Sequence, residues 1–206
     1  SSSPQISLSY EDFLEAEYSI KPNVSSGSYC FRLSNVGSTT NFTYTRYAET
    51  TIIPPNLQQI HYHWRNDDRS EAVATSATSG TEDTPLSSFL SNQRKRLRLE
   101  ISNEGGESAG EQYRIEYTPK GTGCTGPWTD VGAASGDWDM SDSTYFSDGN
   151  NTTNIAVASG GVTDANPTLK TPNAALKDTS SQTAALAISG TEFAELEYSL
   201  KPNVTS

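Results

Sequence analysis

The most reactive side chains in the sequence are its two cysteines, Cys30 in Tyr29-Cys30-Phe31 and Cys124 in Gly121-Thr122-Gly123-Cys124-Thr125-Gly126. An even count suits pairing in an oxidising compartment. Cys30 alternates with apolar neighbours, which places it on the outer face of a strand, and Cys124 lies in a glycine-rich loop. A disulfide using Cys30 and Cys124, within this stretch or with an equivalent one repeat on, is expected to pin two parts of the fold together. In the chain-entropy model such a bridge contributes up to about 4 kcal/mol. There is no Cys-x-x-Cys, and two thiols alone make no metal site.

His61 and His63 share one face of a strand-like stretch, and two imidazoles hold a metal when a third ligand is near. No third ligand stands at a recognisable spacing, so a solvated strand face is the expectation for both. Asp137, Asp139 and Asp142 make the best ion candidate, since calcium prefers several loop carboxylates. The EF-hand spacing is absent there, and a capped turn beside a buried Trp138 is the plainer reading. Asn66-Asp67-Asp68 reads as a turn. No cofactor is expected.

Nothing in the sequence organises catalysis. There is no Gly-x-Ser-x-Gly elbow, His-Glu-x-x-His helix or phosphate loop. Glu15 and Glu17, like Glu195 and Glu197, alternate with apolar residues and read as the wet face of a strand. The basic run Arg94-Lys95-Arg96-Leu97-Arg98 reads the same way. A net charge of −11 argues against a nucleic-acid partner, which requires clustered cations. Trp64, Trp128 and Trp138 are candidates for a sugar-binding groove, although one buried Trp per sandwich is the commoner use. Asn23, Asn41, Asn150, Asn151 and Asn203 stand in Asn-x-Ser/Thr acceptor sequences for glycosylation. No apolar run approaches the 18–20 or so residues of a membrane span.

The elements that would position these groups come from a repeat. Residues 11–26, Glu-Asp-Phe-Leu-Glu-Ala-Glu-Tyr-Ser-Ile-Lys-Pro-Asn-Val-Ser-Ser, recur without a gap at 191–206 as Thr-Glu-Phe-Ala-Glu-Leu-Glu-Tyr-Ser-Leu-Lys-Pro-Asn-Val-Thr-Ser. A period running from position 11 to position 191 is too long for a solenoid unit and suits a bead of one or two domains. On this reading the chain carries one period and the opening stretch, 1–26, of the next, and Phe13 and Phe193 occupy equivalent environments. A second, weaker likeness lies inside the period. Phe31-Arg32-Leu33-Ser34-Asn35-Val36-Gly37 followed by Phe42–Tyr47 parallels Leu99-Glu100-Ile101-Ser102-Asn103-Glu104-Gly105 followed by Tyr113–Tyr117. Both read as strand, tight Asn-x-Gly reversal, strand.

Period-2 alternation runs through residues 29–33, 42–47, 62–65, 96–101 and 113–117. Polar partners on one face predict antiparallel sheets with one wet side. Helical signals are weak, and Pro85–Leu90 is the best candidate for a helical turn. The expected fold is all-β, with two related Ig-like antiparallel β-sandwich lobes per 180-residue repeat, one lobe split across the repeat boundary. Residues 1–52 would be the C-terminal half of lobe B of a preceding repeat. Residues 58–132 would form lobe A. Residues 135–206 would be the N-terminal half of the next lobe B, completed by a following repeat or a neighbouring subunit.

The strand–Ser-Asn-x-Gly–strand pattern, with Phe-x-Glu-x-Glu-Tyr-Ser and Tyr-Cys-Phe-Arg-Leu-Ser-Asn, resembles tandem Ig-like repeats of large bacterial surface proteins. The resemblance implies an extracellular or cell-surface filament, stalk or adhesin, and it brings no catalytic residues. The expected partners are neighbouring copies of the same repeat, in one chain or in a filament, and the expected role is mechanical reach and cohesion. Two alternatives stand beside it: a pilus-like subunit assembled by strand donation, and a carbohydrate-binding adhesin module.

Overall fold

A computed structural model describes residues 7–40, 42–91, 93–106 and 108–203. The chain divides into two compact units, Ser1–Pro54 and Pro55–Ser206.

In the first unit, β1 (Gly27–Phe31) pairs antiparallel with β2 (Ala48–Ile52), from Gly27 opposite Ile52 to Phe31 opposite Ala48. The reversal expected at Asn35-Val36-Gly37 is present. Asn35 and Ser38 exchange two backbone hydrogen bonds of 2.9 Å, and Val36 and Gly37 both take positive φ. The strand expected over 42–47 is not formed. Phe42, Tyr44 and Tyr47 instead stack in series, with centroids 5.7 and 5.6 Å apart, and the strand starts at Ala48.

The second unit is built around β12 (Glu192–Pro202). Along one edge β12 pairs antiparallel with β4 (Lys95–Asn103), which pairs antiparallel with β3 (Leu57–Asn66) across a bulge between Gln59 and Tyr62. The other edge of β12 is shared by three short strands. They are β9 (Thr168–Leu169) and β10 (Leu176–Lys177), both parallel to it, and β8 (Trp138–Met140), antiparallel. Two small antiparallel pairs complete the unit: β5 (Ala109–Glu111) with β11 (Leu186–Ile188), and β6 (Glu116–Tyr117) with β7 (Thr129–Asp130). The chain is thus almost wholly β, with several antiparallel sheets. Its described helix amounts to single 3-10 turns at Glu71–Val73 and Val157–Ser159, and Pro85–Leu90 is not helical.

Residues on either side of the expected 132/135 lobe boundary share one sheet, because β12 lies directly against β4. The second Ser-Asn-x-Gly stretch also behaves unlike the first. β4 does not turn back into a hairpin partner after Asn103; the next strand, β5, pairs with β11, which comes much later in the chain. Asn103 instead accepts the amides of Asn56 and Gly105 at 3.0 Å and donates to the Ile188 carbonyl at 2.8 Å.

β12 is buried on both faces. Ala194, Leu196, Tyr198 and Leu200 project into the apolar core with Ile115, Val131, Ala175, Leu186 and Ile188. Trp64 and Trp138 pack edge-on against Phe89, at 5.7 and 5.1 Å, at the border of that core. The opposite face carries Phe193, Glu195, Glu197 and Ser199, all without solvent exposure. Glu195 and Glu197 therefore do not form a wet face, and neither do Arg96 and Arg98 in β4, which are equally buried. Irregular segments around residues 67–83 and 141–166 cover this face and hydrogen-bond to it. Alternation correctly reported two faces, but the cover over the polar one comes from distant chain.

Candidate functional site

The covered polar face is a layered ionic cluster. Cross-strand register sets it: Arg65 of β3 lies opposite Arg96 of β4, which lies opposite Ser199 of β12. One layer along, His63, Arg98 and Glu197 stand in a row, and beyond them Glu100 faces Glu195. Glu197 is the hub. Its carboxylate takes Arg65 Nη1 at 2.6 Å, Arg98 Nη1 at 2.8 Å and Arg96 Nη1 at 3.3 Å. Arg98 also donates to Glu71 at 2.7 Å, to the Glu195 carboxylate and to the Thr153 carbonyl. Arg65 reaches the Glu71 and Ala74 carbonyls at 2.6 and 3.0 Å, and Arg96 reaches Asp67 and the Arg69 carbonyl. Phe146 lies 4.8 Å beneath the Arg96 guanidinium, a cation–π contact.

The electrostatics follow from this geometry. Burial opposes charge on Glu197, but the guanidiniums of Arg65, Arg98 and Arg96 outweigh it and hold the carboxyl below its ordinary value. Arg98 is also opposed by burial, and the carboxylates of Glu197, Glu195 and Glu71 push it further into the charged range. Glu100 differs. Burial raises it to about 7, countered by the Ala165 amide at 2.8 Å and by His61, and supported by Glu195 and Asp164. Burial also raises Glu195, against the pull of Arg98. Each of these facing carboxyls leaves one oxygen without a donor. Burial therefore favours the neutral form of both carboxyls, and Glu100 has no guanidinium to oppose it.

The cover fits closely. His63 is fully buried, with Nδ1 2.7 Å from the Gly161 carbonyl and Nε2 2.7 Å from Ser76 Oγ, and burial lowers its pKa. Both ring nitrogens are engaged, so His63 is neither solvated nor free to bind a metal. A Cβ on Gly161 would lie 1.6 Å from the Ile155 carbonyl oxygen. Gly161→Ala should therefore lower stability by about 2 kcal/mol or more, read as a drop in the urea midpoint at unchanged slope.

His61 is half-buried and meets different partners. Burial disfavours its charged form, but the Asp83 carboxylate, 2.6 Å from Nδ1, outweighs burial and raises the imidazole pKa. Ligand atoms of His61, Glu82 and Asp83 lie within 4.8 Å of one another, a nitrogen and oxygen donor set of the kind zinc accepts. Each carboxylate already has a task. Asp83 also accepts the Tyr62 amide at 2.9 Å, and Glu82 accepts the amide and hydroxyl of Thr163. Asp83 clasps loop 78–83 to β3 through His61 and Tyr62, and Glu82 ties the same loop to Thr163. Sequence spacing missed it because Glu82 and Asp83 are remote from His61 along the chain.

The remaining candidates are dispersed. Cys30 sits on β1 of the first unit and Cys124 in a loop of the second; both thiols are free and exposed, so the expected disulfide is not formed. The even count carried no information about geometry. Thiol titration of the native protein should give two reactive groups, and a reductant should leave the melting temperature unchanged. Asp139 lies within β8, Asp137 and Asp142 flank it, and the three are not among the described clusters with metal-ligand geometry. Asn23, Asn150, Asn151 and Asn203 are exposed. The Asn203 side-chain amide donates to Gly136, and Asn151 accepts the amides of Asn173 and Ala174. Asn41 lies outside the described residues. Trp128 is half-exposed, whereas Trp64 and Trp138 border the core.

An open depression of about 400 Å³ is lined by Asn66, Asp67, Asp68, Gln93, Arg94 and Lys95. Its polar groups are consumed internally: Asp67 by Arg94 and Arg96, Asp68 by Thr75, Lys95 by Asn66. What the arrangement does chemically is hold charge in place. A carboxylate hub among three buried guanidiniums fixes the register of β12 against β4 and β3 and penalises any strand lacking the two glutamates. No described helix is long and apolar enough to cross a membrane. No protein-family model matches the chain, and no curated protein or solved structure resembles it at a significant level.

Proposed function

We propose that this chain is a structural repeat of an extracellular filament, stalk or surface protein, serving reach and mechanical cohesion rather than catalysis. One observation carries the reading: the residues that form β12, the strand joining both halves of the Pro55–Ser206 unit, occur again at 12–22 with both glutamates kept. A sequence that spells its closing strand twice is suited to a string of like beads. The acidic surface keeps such a string dispersed. The closed ionic face, with its donors and acceptors spent on each other, supports a mechanical role over a catalytic one.

Particle imaging of the parent polypeptide tests this. A long fibre with regular spacing is expected, and compact single particles would remove the reading. The second reading, a subunit assembled by strand donation, is favoured by the exposure of residues 11–24. Intact mass separates the two: many periods in one polypeptide mean a covalent string, and one period per polypeptide means separate subunits.

A further inference from the structure

We infer that residues 8–22 are a second β12 with its entry turn, whose seat is the sheet formed by residues 55–186 of a preceding copy, the place that 188–202 fill in this one. There Glu15 and Glu17 would neutralise that copy's Arg65, Arg96 and Arg98. The inference rests on the repeat reading above and names the surface through which copies join.

Three observations carry it. The first is chemical. In the register that sets residue 11 on residue 191, Glu15 and Glu17 fall on Glu195 and Glu197, the carboxylates that hold the buried arginines. Phe13, Tyr18 and Ser19 fall on Phe193, Tyr198 and Ser199, and Leu8 falls on Ile188 of β11. Leu14 and Ala16 replace Ala194 and Leu196, an exchange that conserves volume on the apolar face.

The second is local conformation. In β12 the chain enters through a turn in which the Glu192 amide donates to the Ser189 carbonyl at 2.9 Å, and the Ser189 amide to the Glu192 carboxylate at 2.9 Å. The earlier copy makes the same pair of bonds: Asp12 amide to Ser9 carbonyl at 3.0 Å, Ser9 amide to Asp12 carboxylate at 2.7 Å. The entry turn forms in both places.

The third is exposure. Phe13 is 84 % exposed where Phe193 is 0 %, and Tyr18 is 54 % where Tyr198 is 1 %. The two neighbourhoods thus differ, against the simple expectation of equal environments. Residues 12–22 form no described strand. This is a strand sequence without its sheet, and the slot between β4 and the β8, β9 and β10 edge fits it residue by residue. Buried arginines make the slot selective, since a strand lacking the two carboxylates would leave them unneutralised.

A tandem polypeptide tests this, with residues 25–186 placed directly ahead of residues 7–206 so that Ser7 follows Leu186. The probe is amide exchange of the peptide spanning 95–103, which occurs in both copies. A single protected mass envelope is expected, because residues 8–22 close the first copy as 188–202 close the second. Glu17→Ala should split the envelope, with half the material exchanging fast, and Glu197→Ala should split it likewise through the other copy. Glu17→Gln, which keeps the shape of the side chain, should show intermediate splitting. An envelope already split in the unmutated tandem would overturn the inference, as would one unmoved by Glu17→Ala. A protected tandem together with compact parent particles would leave the strand assignment standing and remove only the filament.

Discussion

Glu197→Ala is expected to destabilise the Pro55–Ser206 unit by about 3–5 kcal/mol, enough to unfold much of it, since a domain's whole stability is about 5–15 kcal/mol. Glu197 is fully buried and is the shared counter-ion of Arg65, Arg96 and Arg98, themselves fully buried. Removing the carboxylate leaves three guanidiniums short of negative charge where water cannot replace it. Truncation also leaves a void between β12 and the covering segments. Urea unfolding followed by tryptophan fluorescence reads the result, because Trp64 and Trp138 border the core that β12 completes. The matched control is Glu17→Ala in the same chain. Glu17 has the same flanking sequence but is exposed, so its loss should change stability by less than about 0.5 kcal/mol. Equal effects at the two positions would mean that the ionic face does not hold β12.

Glu100→Gln should change the pH dependence of stability. The Glu100 carboxyl is raised to about 7 by burial, from an ordinary value near 4.5. Between those values the folded chain holds a proton that the unfolded chain has released. The resulting stabilisation is fully present below about pH 4.5 and fades as pH rises through 7. Each tenfold change in proton affinity is worth about 1.4 kcal/mol, so the loss is about 3 kcal/mol. His63, lowered by burial, acts oppositely and weakens the fold as pH falls below its ordinary range, while raised His61 adds stability that is lost as pH rises. Comparing mutant with wild type cancels His63, and it leaves in place the larger contributions of Asp83 and Glu82 to His61, behind which Glu100 ranks last. Gln keeps an acceptor for the Ala165 amide and cannot ionise. The variant should match wild type near pH 5 and exceed it by about 2–3 kcal/mol at pH 8. Parallel curves for the two proteins across pH 5–8 would show that Glu100 carries no proton in the fold.

Both predictions depend on a face that alternation described and mislabelled. Strand positions were partly readable: alternation at 29–33, 62–65, 96–101 and around Glu195 and Glu197 marks β1, β3, β4 and β12, 113–117 yields only the two-residue β6, and the Asn35-Val36-Gly37 reversal needed only the backbone freedom of those residues. Phe42–Tyr47 alternates as well yet forms an aromatic stack, because its rings find each other before the strand begins. The short β8, β9 and β10 have too few residues to show a period, and their pairing depends on β12 being present. The His61, Glu82 and Asp83 clasp depends on a chain reversal that no local spacing encodes.

From sequence alone came the all-β character, the recurrence of 11–26 at 191–206 and the alternation of charge with apolar side chains, since each is a local property of side-chain type and backbone preference. Tertiary structure decided which polar faces are dry and that β4 and β12 share one sheet. Those outcomes depend on where distant covering segments settle, and a charged residue enters the interior only when opposite charge and donors from elsewhere in the chain meet it there.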